Sequence, residues 1–146
     1  MVGKSNWKTL SNWAIMLSEY QSGGVVIVKR RNRVSDEVLS LVREAQEAIL
    51  KRPEVRPHLL VLFGSEARGD ATPESDIDLL VVLTSEDPRT LEAVDDAVYE
   101  VMWRHDFNRL ISVVTFSKQE FEAQRRKGFS FVRNIEREGI VLWQAA

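Results

Sequence analysis

Asp76 and Asp78 stand one residue apart at the head of the apolar run at residues 79–83. Side chains alternate along a strand, so both carboxylates would project from one face while Ile77 points to the other. Two like charges at the start of a buried strand are unfavourable unless a cation neutralises them. An all-oxygen donor set of this kind suits Mg²⁺ or Mn²⁺, which commonly take one or two carboxylates and complete their shell with substrate phosphates. Upstream, the apolar run at residues 59–63 ends at Gly64-Ser65, and residues 65–68 can open a helix. Backbone N–H groups at a helix start attract anions, glycine lets a phosphate approach the backbone closely, and Ser65 adds a hydroxyl. A strand–Gly-Ser–helix unit facing an Asp-x-Asp strand leaves room for a nucleoside triphosphate with its metal. Arg68 has two readings, a phosphate contact or an ion-pair former beside Glu66 and Asp70.

The elements that must hold these residues follow from periodicity. Ser35 caps a helix with the apolar stripe Val38, Leu41, Val42, Ala45 and Ile49, ended by Pro53 and Pro57. Strands are expected at residues 59–63, 76–83 and 110–116, with a helix on Leu91, Val94, Val98, Val101 and Met102 between the last two. Ser117 and Glu120 form a capping box for a further helix. Phe131 and Ile135 mark another, followed by a strand at 140–143. The order predicts an α/β (α+β) domain over residues 35–146, with a small mixed sheet flanked by helices. Residues 1–34 read as an N-terminal extension. Trp7, Leu10, Ala14 and Leu17 fall at helical spacing before Gly23-Gly24, so the segment is either a short amphipathic helix or poorly ordered.

Composition narrows the function classes. The chain has 146 residues, 20 Lys+Arg against 22 Asp+Glu, and no cysteine. One core fits that length, and near-neutral charge supplies no whole-protein field for nucleic acid. The basic run at 29–33 is read as a solvated linker, with a nucleic-acid patch as the rival. The absence of cysteine excludes disulfides, thiolate zinc sites and cysteine nucleophiles, and no apolar run is long enough to span a bilayer. A cytoplasmic protein is expected. His58 and His105 read as surface or boundary residues, Trp103 and Trp143 as closing the ends of the core, and Asp95-Asp96 as solvent-facing. The cluster Arg125-Arg126-Lys127 reads as a solvated helix C-terminus.

The segment GSEARGDATPESDIDLLVVL, residues 64–83, resembles the signature of small bacterial nucleotidyltransferases of the DNA-polymerase-β superfamily. That group contains antibiotic nucleotidyltransferases and the MNT antitoxins paired with HEPN toxins. The resemblance covers about residues 35 to 143, including the tail FSFVRNIEREGIVLW. It implies the polymerase-β-type fold and transfer of a nucleoside monophosphate, commonly AMP from ATP, with release of pyrophosphate. It also implies that Gly64 and Ser65 contact phosphate and that Asp76 and Asp78 bind metal. A HEPN-domain partner is implied as well, and a homo-oligomer is the other assembly left open. Active members usually carry a third carboxylate on the following strand, where this sequence has Ser112. Two functions stand side by side: a metal-dependent nucleotidyltransferase, or a catalytically degenerate nucleotide-binding or protein-interaction module.

Overall fold

A computed structural model describes residues 15–21, 24–29 and 34–145 of the protein. In chain order these form β1 (Ile15–Gln21), β2 (Gly24–Lys29), α1 (Asp36–Leu50), β3 (Pro57–Phe63), α2 (Gly64–Arg68) and β4 (Ile77–Leu83). Next come α3 (Pro88–Arg104), β5 (Ile111–Ser117), α4 (Lys118–Lys127), α5 (Ser130–Glu138) and β6 (Ile140–Ala145). The strands make one 6-stranded mixed sheet in the order β1-β2-β6-β3-β4-β5. Only the β4–β5 pair is parallel among these, and α3 is its crossover.

The helices begin and end for local reasons. The Ser35 hydroxyl accepts from the Val38 amide at 3.3 Å, and Asp36 and Glu37 favour the positive end of the α1 dipole. Asp87 caps α3 by accepting from the Thr90 amide at 2.9 Å, with Pro88 in the first turn, where its missing N–H costs nothing. Ser117 caps α4 by accepting from the Glu120 amide at 3.0 Å.

Burial on both faces makes β3 and β4 almost continuously apolar. On one face, Leu60, Leu62, Ile77, Leu79, Val81 and Leu83 pack against the apolar stripes of α1 and α3. On the other, Leu59, Val61, Leu80 and Val82 pack against Phe121 of α4 and Val132 and Ile135 of α5. Phe63, Phe116 and Phe131 extend this second cluster, with edge-on contact between the Phe63 and Phe131 rings at 5.5 Å. By alternation, Asp78 belongs to this second face, ahead of Leu80 and Val82.

Several expectations need correction. The sheet does not stop at residue 35: β2 pairs with β6, Gly24 opposite Ala145, so pairing crosses the boundary drawn at residue 34. Leu17, the last position of the expected amphipathic helix, lies in β1. The β-branched run Val25-Val26-Ile27-Val28 supplies the partner strand that overrides helical spacing there. The earlier positions of that pattern, Trp7, Leu10 and Ala14, and most of the basic run after Lys29 lie outside the described residues. His58 is buried inside β3 rather than at a boundary. Trp143 does close the core, but Trp103 is 66% exposed at the end of α3, beside Phe107. Asp95 and Asp96 are exposed, as expected.

Candidate functional site

Antiparallel register places Phe63 of β3 opposite Asp78 of β4. The chain leaves β3 through Gly64 with φ +74, a left-handed conformation that glycine adopts without strain. A Cβ on Gly64 would overlap the Asp78 carboxylate, and would stand 3.1 Å from its Cγ. Glycine is therefore required twice, by the turn and by the aspartate seated against it. The short helix α2 follows with no side-chain cap at its start. It ends at Gly69, also left-handed at φ 87, whose amide donates to the Ser65 carbonyl at 2.9 Å.

Asp76 is exposed and stands immediately before β4, while Asp78 is half-buried within it. Among the described residues, neither carboxylate has an ion-pair or hydrogen-bond partner. Burial raises the Asp78 pKa, the Asp76 charge raises it further, and Arg68 pulls it back down. Two carboxylates placed in this way favour a cation between them. Parallel register places Ser112 directly beside Asp78, exposed and on the same face. No cluster of three His, Cys, Asp or Glu residues able to hold a metal occurs among the described residues. The donor set thus fits a hard divalent cation that takes two protein carboxylates and draws its other ligands from phosphate and water. It does not fit a three-carboxylate cage.

Arg68 is exposed and pairs with Asp70 at 3.3 Å and with Glu138 of α5 at 3.7 Å, not with Glu66. The ion-pair reading accordingly has its geometry, and the influence on Asp78 keeps the guanidinium within electrical reach of the site. Arg125 is not simply solvated: it bonds Glu136 at 2.6 Å and so ties α4 to α5, whereas Arg126 and Lys127 are exposed. His105 bonds Glu44 at 2.8 Å and belongs to no group of three metal-donor side chains among the described residues. Glu120 of α4 is exposed and accepts from Gln124 at 2.9 Å.

A family model described as "Nucleotidyltransferase domain" matches residues 42–142, which span both halves of this site. The chain belongs to the nucleotidyltransferase-domain family. A curated relative from Methanocaldococcus jannaschii, provisionally named a protein adenylyltransferase, is 31% identical over 102 residues, covering 70% of this chain and 94% of that protein. The chain is thus a minimal nucleotidyltransferase-type protein, with the mixed sheet and flanking helices expected of it. No helix among the described residues is long and apolar enough to cross a membrane.

Sequence reasoning missed Glu66 and Arg109, which make a buried ion pair at 2.6 Å. Glu66 lies inside the Gly-Ser signature, but nothing in its spacing points inward. Arg109 sits in the turn before β5, where a lone arginine carries no periodic signal.

Two predictions arise from this candidate site. The first concerns Gly64→Ala, which forces a left-handed residue against Asp78. It should lower stability by about 1–2 kcal/mol from backbone strain alone, and chemical denaturation checks this. It should also weaken metal-dependent nucleotide binding, because the methyl displaces the Asp78 carboxylate. Wild-type stability and binding in this variant would refute the close seat.

The second prediction is pH-dependent. Asp78 holds its proton more tightly folded than unfolded, so its contribution to stability is present at acid pH and is lost as pH rises through the raised pKa. In chelator, Asp78→Asn should therefore raise the thermal midpoint near neutral pH. The gain should shrink on acidification towards pH ~4, the ordinary carboxylate range. A variant less stable than wild type at every pH would contradict that sign.

Proposed function

We propose that this nucleotidyltransferase moves AMP from ATP to a hydroxyl group on a protein, with Asp76 and Asp78 holding Mg²⁺ or Mn²⁺. The observation that carries the reading is the Asp76–Asp78 pair, without an ion-pair or hydrogen-bond partner among the described residues, with Asp78 seated against Gly64 at the exit of β3. Membership of the family supports nucleotidyl transfer, and the name of the archaeal relative supports a protein acceptor. A bound divalent cation would neutralise the carboxylate pair and the triphosphate and polarise the α-phosphorus.

The chain's own residues would do the rest. Gly64 admits the phosphates close to the backbone, and Ser65 offers a hydroxyl to them. Arg68 adds positive charge beside the pair. The acceptor oxygen forms a bond to the α-phosphorus as the bond to the β-phosphate oxygen breaks, and pyrophosphate leaves. Ser112 can hydrogen-bond the acceptor hydroxyl but is no effective base at neutral pH, so the proton would pass to water. Slow turnover follows. Ser112 also supports a second reading, a degenerate site that binds nucleotide while the protein works by docking. The resemblance to antitoxins supports a helical HEPN-type protein as the acceptor or docking partner.

The test is incubation of the chain and a co-expressed HEPN-type partner with Mg²⁺ and ATP labelled at the α-phosphate. Label retained on denatured protein, with pyrophosphate released, supports transfer. Equal labelling by the Asp76→Asn/Asp78→Asn variant would refute this site as its source. Nucleotide binding without labelling favours docking.

A further inference from the structure

Asp76 lies outside the strand and is exposed, so something other than sheet pairing must fix its position. Both of its chain neighbours are held by one short segment. The carbonyl of Ser75, just before Asp76, accepts from Arg109 Nη2 at 3.0 Å. The amide of Ile77, just after it, donates to the Leu110 carbonyl at 2.8 Å. The same Nη2 of Arg109 donates to Glu66 Oε2 at 2.6 Å, and both side chains are almost fully buried, at 11% and 8% exposure. Glu66 is the third residue of α2, which begins at Gly64.

We propose that Arg109 is a positioning residue: one guanidinium nitrogen ties the phosphate-side helix to the backbone preceding Asp76, and thereby sets where Asp76 stands relative to Asp78 and Gly64. The inference rests on the reading of Asp76 and Asp78 as the metal-holding pair. The bridging loop is otherwise built from short-range contacts: Ser75 and Thr72 bond each other through the Ser75 amide at 3.0 Å and the Thr72 amide at 2.9 Å. Those contacts shape the turn at Pro73 and Glu74 and end at Ser75, without reaching α2. Arg109 is the described side chain that bonds both. A carboxylate on an untethered turn would hold a cation only after losing its freedom, which lowers affinity. Supports around metal ligands commonly matter for this reason.

Removing one partner would leave a buried charge uncompensated and could unfold the chain, whereas replacing both by apolar residues of similar length is tolerated far better. The decisive variant is therefore Glu66→Met/Arg109→Met, which also leaves the local net charge unchanged. Mn²⁺ binding is followed by the electron paramagnetic signal of the free ion, with a non-hydrolysable ATP analogue present. Thermal midpoint and Ile77 amide exchange are measured alongside. We expect Mn²⁺ affinity about tenfold weaker or more, faster Ile77 exchange, and a midpoint near that of wild type. Arg109→Lys, whose nitrogen lies on a shorter reach and lacks the rigid guanidinium plane, should move affinity in the same direction in a folded chain if the double variant does not fold.

Wild-type affinity in a folded double variant, or in Arg109→Lys should the double variant not fold, would overturn the positioning role and leave the metal site standing. Failure of the wild-type chain to bind Mn²⁺ at all would overturn both.

Discussion

The Asp76→Asn/Asp78→Asn variant should fold and lose metal-dependent nucleotide binding, with nucleotidyl transfer falling by roughly a thousandfold or more. Asparagine keeps the size and the hydrogen-bonding capacity of each side chain but removes the charge a divalent cation needs. The effect on stability should be small or favourable, because the two carboxylates are mutually unfavourable without a cation between them. Burial and the neighbouring aspartate both raise the Asp78 pKa, so neutralising the pair relieves the metal-free fold. The expected result is therefore a split: equal or higher thermal stability in chelator, but no stabilisation on adding Mg²⁺ with nucleotide, where wild type should gain. Calorimetric titration with a non-hydrolysable ATP analogue, with and without Mg²⁺, measures the binding side. A variant that binds nucleotide in a metal-dependent way as wild type does would place the metal elsewhere.

The central sheet and the residues of the candidate site were legible because their signals are local and periodic. The stripe of Val38, Leu41, Val42, Ala45 and Ile49 names the buried face of α1, and Ser35 and Ser117 are read as caps from their position alone. Gly64, Asp76 and Asp78 stand out because strand alternation and a glycine at a strand exit make geometric demands that sequence spacing records. Ser112, which the resemblance puts on the following strand, lies next to Asp78 in the parallel register. What remained hidden depends on contacts distant in sequence. Arg109 reaches Glu66 43 residues away, and no periodicity announces such a pair. His58 is buried because β3 runs on to Pro57 between β4 and β6, although a polar residue next to a proline reads as a boundary. Trp103 faces solvent because it falls off the α3 stripe, where Val98 and Val101 point inward. Size and hydrophobicity alone suggested core. The strand over Ile15–Gln21 needed β2 as its partner, information absent from its own spacing.

Ser112→Asp should convert a slow or silent site into a faster one. Lateral neighbours on parallel strands point to the same side at a spacing of about 4.8 Å, and Ser112 is the lateral neighbour of Asp78. An aspartate there would join Asp76 and Asp78 on one face, without needing space inside the core, because the position is exposed. Without metal, a third like charge should raise the Asp78 pKa further and lower stability. With metal the sign reverses: three carboxylates bind the cation more tightly, and the new one can accept the acceptor proton. A positioned general base contributes about 10²–10⁴-fold, so transfer measured by label incorporation should rise by about a hundredfold. Mn²⁺ affinity should rise with it. Tighter metal binding without faster transfer would mean that the acceptor hydroxyl does not approach from the β5 side, and that a base from the partner protein serves instead. No change in either would show that Ser112 lies outside the working site, and the serine would then be no reason to regard the nucleotidyltransferase as degenerate.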